Sequence, residues 1–180
     1  MLHSATPDEI ARFSDTAHVD VAPFARQNDT VRWDGRASVA KYHGDDTTGE
    51  PYEVLHSGPN LLLTVGATRL LNLLSGAGGN AYNATNTRIA VGSSNAPSLI
   101  GHTALTTELG RQLVDATPVV ATNTLTFVAT FSTSSANGSW QEMAIVDAAS
   151  AGTMLNRLVF NWGTKTSAVA WVATMVITAS

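Results

Sequence analysis

The sequence predicts a mainly β protein: a small antiparallel β-sandwich or barrel with one α-helix, preceded by an extended N-terminal arm. Residues 1–60 contain 10 of the 14 acidic residues, whereas residues 61–180 contain only nine charged residues. From Thr87 onward, short segments with alternating apolar and polar residues are separated by turn residues, a pattern typical of strands. We therefore divide the chain into an arm, residues 1–60, and a β-rich domain, residues 61–180.

The arm begins with a predicted short helix at about residues 7–14. Thr6 is a capping residue, Pro7 suits the first helical position and Glu9 follows the cap by three residues. Short strands are predicted at about residues 36–56, but the arm as a whole shows no sustained period and cannot bury enough apolar area to fold alone. Because exposed aromatic side chains are costly in water, we expect the arm to lie on a partner surface. Its predicted anchors are Ile10, Phe13, Phe24, Trp33, Tyr42 and Tyr52.

The β-rich domain contains one predicted helix, at about residues 65–75. Thr64 is a plausible cap, and Gly76 ends the helix. The apolar residues of this helix recur at helical spacing: Ala67, Leu70, Leu71 and Leu74. The clearest strand is Thr124–Phe131, in which apolar residues occupy alternate positions. Asn137-Gly138 predicts a tight turn between two later strands.

The composition argues against several classes of function. A net charge of −4 is unsuited to nucleic-acid binding, which needs a basic surface. Without cysteine the chain has neither disulfides nor thiolate metal ligands. The five histidines show no spacing typical of a metal site, so we expect no metal and no cofactor. No apolar stretch is long enough to span a membrane, and the N-terminus does not resemble a signal peptide.

The sequence contains no convincing catalytic motif. Ser93-Ser94 follow a predicted strand, but the Gly-x-Ser-x-Gly motif of many hydrolases is absent. A glycosidase needs two carboxyl groups across a cleft, and the only noteworthy carboxylate is Glu142, expected on the same strand face as Trp140. We expect Glu142 to pair instead with Arg157 or Arg88 on a neighbouring strand. The sequence therefore predicts a protein that is not an enzyme.

A series of segments, in order along the chain, resembles the head decoration (cement) proteins of tailed phages. They are Lys41–Asp45, Pro51–Val54, Gly58–Leu63, Arg69–Leu74, Gly76–Asn86, Ile89–Gly92, Asn123–Phe131, Ala136–Glu142, Gly152–Arg157 and Gly163–Thr166. The resemblance covers about residues 38–180, and the Trp-x-Glu segment is also similar to tail-collar fibre domains. It implies a small β domain, often trimeric, on the outside of the head, with an N-terminal arm that reaches across neighbouring shell subunits.

The resemblance implies a structural virion protein on the outer surface of the capsid. Its partners would be the major capsid protein and other copies of itself, as a homotrimer, and it would stabilise the shell. The self-contact candidates are Leu99, Ile100, Leu158 and Phe160. An alternative is a tail collar, fibre or baseplate protein that binds tail partners or a host surface. A third possibility, a cell-wall hydrolase, conflicts with the shortage of convergent polar groups.

Overall fold

The computed structural model describes residues 31–180, which form two five-stranded antiparallel sheets packed as a sandwich, with one helix. The predicted mainly β fold class is therefore confirmed. In chain order the elements are β1 Trp33–His43, β2 Glu53–His56, β3 Leu61–Leu62, α1 Thr64–Ser75, β4 Arg88–Gly92, β5 Glu108–Leu113, β6 Val119–Ala121, β7 Thr124–Phe131, β8 Gly138–Val146, β9 Asn156–Lys165 and β10 Val169–Ala179.

The two sheets combine strands that are distant in sequence. The first sheet has the order β2-β1-β10-β7-β6, and the second has the order β3-β9-β8-β4-β5. In the first sheet, β1 pairs with β10 along its whole length, from Trp33 opposite Ala179 to His43 opposite Val169. The first strand described and the last one therefore form the centre of one sheet.

Aromatic side chains fill the space between the sheets. Trp140 packs edge-on against both Phe131 and Trp171, with ring centroids 4.7 and 4.8 Å apart. Phe127 and Met175, which face each other across β7 and β10, belong to the same fully buried cluster. A smaller cluster lies on the other side of the second sheet: Leu63, Ala90, Leu105, Ala144, Val146 and Met154. The second sheet therefore carries buried apolar residues on both faces.

The predicted boundary between arm and domain at residue 60 is wrong for residues 33–56. Strand β1 is hydrogen-bonded on both sides, to β2 and to β10, and its inward residues Ala37 and Val39 are buried. The inward positions of β1 are Gly35, Ala37, Val39 and Lys41, which together provide little apolar signal in the sequence. The predicted helix at residues 7–14 lies outside the described residues.

The predicted helix is present as α1, but its start differs from the expectation. Leu63, in an extended conformation, is the N-cap residue and makes no side-chain capping bond, while Thr64 is already helical. The N–H of Thr64 donates instead to the carbonyl of Ile100. Gly76 ends the helix in the left-handed conformation, at φ 72°. Within residues 31–180 no helix has the length and apolar character needed to cross a membrane.

Gly66 allows α1 to approach the second sheet closely. A side chain at this position would clash with the backbone carbonyl of Leu155, which precedes β9. Leu70, one turn further on, packs against the main core. Most residues of the helix are therefore buried or half-buried, and it exposes one side, formed by Thr64, Thr68, Leu71, Leu74 and Ser75.

Candidate interaction surfaces

Glu142 and Arg157 form a fully buried ion pair between the adjacent strands β8 and β9. Both side chains are 0 % exposed, and Arg157 Nη2 lies 2.7 Å from Glu142 Oε2. Arg88, the alternative partner considered from the sequence, donates to the carbonyls of Thr85 and Asn86 instead. Glu142 therefore has its cation within the sheet, which leaves it unsuited to the general acid or base role of a glycosidase.

A break in the register between β8 and β9 changes the direction of Glu142. The register of β8 against β9 shifts between Trp140 and Glu142, so the expectation that the two side chains share a strand face is wrong. Trp140 points between the sheets, whereas Glu142 is adjacent to Ala144 and Val146 in the alternation that forms the smaller cluster. The irregular pairing is the physical reason for the difference: one residue of β8, Gln141, lies opposite three residues of β9, 160–162, so the regular alternation does not continue from Trp140 to Glu142.

The buried pair supports the long connection between β4 and β5, residues 93–107. Glu142 accepts hydrogen bonds from the backbone N–H groups of Thr106 and Thr107, at 3.1 and 2.8 Å. Arg157 donates from Nη1 to the carbonyl of Pro97 at 3.1 Å and from Nη2 to the Thr106 hydroxyl at 3.3 Å. The role of the pair is therefore to hold irregular backbone against the sheet, because such backbone needs partners for its polar groups.

A second buried carboxylate supports α1. Asp147 is 0 % exposed, and its Oδ2 lies 3.1 Å from Arg69 Nε, a charge contact without good hydrogen-bond alignment. Its Oδ1 accepts from the N–H of Thr153, whose hydroxyl accepts from Arg69 Nη2 at 2.7 Å. Tyr82 donates its hydroxyl to the Thr153 carbonyl. Burial and the charge of Asp147 raise the pKa of Tyr82 well above its usual value.

Two lysines with buried side chains lie near one end of the sandwich, and their burial was not expected from the sequence pattern. The Lys41 ammonium lies 4.5 Å from the ring centroid of Trp171 and 2.7 Å from a Glu53 carboxylate oxygen. Lys165 donates to the Ser132 carbonyl and the Asn137 side chain. Both belong to strands with alternating apolar residues, and the long apolar stem of lysine allows its burial when the ammonium finds partners.

The predicted arm anchors within the described residues have three different environments. Trp33 is half-buried and packs against the main core, so it contributes to the sandwich itself. Tyr42 is half-buried and lies on the face of β1 opposite to the core, while Tyr52 is exposed and stacks on His43 with ring centroids 4.5 Å apart. Three other predicted anchors lie outside the described residues: Ile10, Phe13 and Phe24.

Exposed apolar side chains gather at α1 and the nearby loop. Leu71 and Leu74, three residues apart on one side of the helix, are 65 % and 86 % exposed. Leu99 and Ile100 are also mostly exposed, and the bond from Thr64 to Ile100 places them beside the first turn of α1. We call these four residues the helix patch. Of the other self-contact candidates, Leu158 is buried and Phe160 is half-buried against Trp162.

The side of the first sheet that faces away from the core is poor in charge. We call this surface the outer face and define it by the outward residues of β1, β10 and β7. They are Asp34, Arg36, Ser38, Ala40 and Tyr42; Val172, Thr174, Val176 and Thr178; and Thr124, Thr126, Val128 and Thr130. The only charged side chains among them are Asp34 and Arg36, which pair with each other at 3.2 Å; Asp115, outside these strands, accepts from the Thr130 hydroxyl. Two exposed valines of β6, Val119 and Val120, adjoin its edge.

The chemistry of the described residues thus differs between the interior and the surface. The buried carboxylates have specific cationic partners and hold loops in place, whereas the helix patch and the outer face offer apolar and hydroxyl groups. Exposed apolar side chains of a folded domain are candidates for protein–protein contact. No protein-family model, curated protein or solved structure matches this chain.

Proposed function

We propose that this protein is a structural component of a tailed-phage virion, a decoration protein that binds the outer surface of the head and links neighbouring major capsid proteins. The observation that carries the proposal is where the charged side chains lie. The buried ion pairs hold loops in place, whereas the helix patch and the outer face have few charged side chains. The centres of protein interfaces are depleted in charged residues in the same way. The resemblance of residues 38–180 to head decoration proteins supplies the virion context.

The two surfaces suit different partners. The helix patch presents protruding leucines, and burying their apolar surface against a partner would contribute binding free energy. We assign it to the capsid shell, so that in this proposal Leu99 and Ile100 contact the shell and not another copy of the protein. The charges of the outer face, Asp34 and Arg36, neutralise each other, so the face has little net charge that would repel its own copy, and we assign it to self-association, as the trimer that the resemblance implies. Residues 1–30 would extend the contact to neighbouring subunits through Ile10, Phe13 and Phe24.

The proposed mechanism is energetic rather than chemical. A protein that binds the assembled shell, and not its separated subunits, stabilises the shell by mass action. A copy that contacts two capsid subunits at once also gains from the high effective concentration of its second contact. The expected consequence is that heads carrying this protein withstand heating or chelating agents better than bare heads.

The location in the virion is tested by antibody-gold labelling of intact particles. Dense label over the head supports the proposal. Label confined to the tail would overturn it and would favour a collar, fibre or baseplate protein.

The assignment of the helix patch is tested by co-sedimentation of the full-length protein with head shells. The variant Leu71→Ser/Leu74→Ser should lose shell binding while it keeps the circular dichroism spectrum of the folded protein. A matched control, Thr68→Ala/Ser75→Ala, changes two exposed polar positions of the same helix and should bind normally. Equal binding by both double variants would remove the helix patch from the interface.

A further inference from the structure

Lys165 holds the side chain of Asn137 at one end of the sandwich. Lys165 is 1 % exposed, and its Nζ donates to Asn137 Oδ1 at 3.0 Å and to the Ser132 carbonyl at 2.5 Å. Asn137 Nδ2 donates in turn to the carbonyl of Thr133 at 2.9 Å. The carboxamide is thus fixed from both sides, with a buried cation on its oxygen. Burial lowers the pKa of Lys165, and the charge of Asp45 opposes this effect.

Asn137 is also followed by glycine, in the only Asn-Gly pair of the chain. Gly138 has no side chain to block its backbone nitrogen from Cγ of Asn137, and this attack is the first step of spontaneous deamidation. Asn137 is exposed, so water reaches it. We propose that Asn137 is a modification site, at which the Lys165 ammonium assists deamidation and directs it to a normal aspartate.

The first stage forms a cyclic imide and releases ammonia. The Gly138 nitrogen loses its proton to solvent and forms a bond to Cγ of Asn137, which places negative charge on Oδ1. The Lys165 ammonium, already bonded to this oxygen, stabilises that charge as a preorganised donor does in an oxyanion hole. The bond from Cγ to Nδ2 then breaks, and the nitrogen leaves as ammonia after taking a proton from water.

The second stage decides which product forms. Water that attacks the imide at Cγ restores the normal backbone and gives aspartate, whereas water that attacks the backbone carbonyl gives isoaspartate. Because Lys165 polarises the carbonyl at Cγ, attack is directed there. The net reaction converts asparagine and water into aspartate and ammonia. The new carboxylate then lies beside the ammonium, where it replaces a neutral acceptor by a charged one and strengthens the bond.

The test is to incubate the full-length protein at neutral pH and to follow residue 137 by peptide mass spectrometry with fragmentation that separates aspartate from isoaspartate. In the folded protein, residue 137 should convert faster than Asn161, an exposed asparagine that is followed by tryptophan, and aspartate should be the main product. In urea the contact with Lys165 is lost, and isoaspartate should become the main product.

The variant Lys165→Met removes the ammonium but keeps an apolar stem. It should slow the conversion in the folded state by about tenfold or more, and it should abolish the preference for aspartate. The control is Lys41→Met, which removes another buried ammonium whose contacts are with Glu53 and Trp171. This control should leave the rate and the product ratio unchanged.

A second readout does not depend on reaction rates. Asn137→Asp should raise the Tm of the protein with Lys165 in place and should not raise it in the Lys165→Met background. The inference would be overturned if Asn137 deamidated no faster than Asn161, or if isoaspartate were the main product in the folded state. A covalent link between Lys165 and Asn137 would also overturn it. None of these outcomes depends on the virion role proposed above.

Discussion

Replacing Glu142 by leucine should destabilise the sandwich by about 3–5 kcal/mol, the usual cost of leaving one member of a buried ion pair without its partner. Arg157, 0 % exposed, would keep its charge with only neutral acceptors around it. The N–H groups of Thr106 and Thr107 would also lose their acceptor, but both residues are exposed and water can replace it. For a protein of this size the loss corresponds to a fall in Tm of about 6–20 °C.

The assay is denaturant unfolding, combined with hydrogen exchange of the folded state. The free energy of unfolding should fall by the stated amount, and residues 93–107 should lose protection first because the carboxylate holds their backbone. The control is Asp34→Asn, which breaks the pair between Asp34 and Arg36. Those side chains are 46 % and 65 % exposed, so this variant should change stability little.

The double variant Glu142→Leu/Arg157→Met tests whether the two residues stabilise the fold as a coupled ion pair or independently of each other. Removing both charges avoids the isolated cation, so the cost should be clearly smaller than the sum of the two single variants. The reasoning is refuted if Glu142→Leu costs less than about 1 kcal/mol, or if the single costs simply add.

Three further outcomes are expected. Arg69→Met should cost about 3–5 kcal/mol, because it leaves the buried Asp147 carboxylate without its cation, and hydrogen exchange should show faster opening of α1 than of β8. Thr122→Asn should raise Tm by about 1–3 °C, since Thr122 has φ 54° and asparagine tolerates this conformation better, whereas Thr117→Asn, at an exposed site without positive φ, should not. Burial lowers the pKa of Lys165 below the value of 10.5 expected in the unfolded chain. Between the folded and the unfolded pKa the unfolded state therefore binds more protons, and the free energy of unfolding rises with pH. Denaturant titrations at alkaline pH should show no such rise for Lys165→Met, and a rise that persists in this variant would contradict the reasoning.

The strand pattern made the fold class predictable. In β7 the alternation read from the sequence matches the structure, with Phe127, Ala129 and Phe131 buried. Gly76 ended the helix as expected because the left-handed conformation favours glycine. Strand β1 was assigned to the arm because its inward residues, Gly35, Ala37, Val39 and Lys41, form a weak apolar pattern, and its partner strand β10 lies more than a hundred residues away. Local patterns do not report such distant pairings.

The surfaces were less predictable than the fold. Helical spacing grouped Leu70 with Leu71 and Leu74, but only Leu70 packs against the core, since Leu71 and Leu74 lie on the side of α1 that faces away from the sandwich. The partnership of Glu142 with Arg157 followed from the expectation of neighbouring strands. Their bonds to Pro97 and Thr106 did not, because loop backbone is positioned by the whole fold rather than by its own sequence.

The pairing of β1 with β10 has a consequence for how the protein folds. The centre of the first sheet cannot form until β10 has been synthesised, so residues 33–168 leave the ribosome before their sheet is complete. Contacts between residues so far apart in sequence make folding slow, typically over milliseconds to seconds for sandwich domains. During that interval the apolar side chains of β1 and β7 have no partner strand between them. We therefore expect the newly made chain to depend on chaperones, or on low expression temperature, more than the finished domain does.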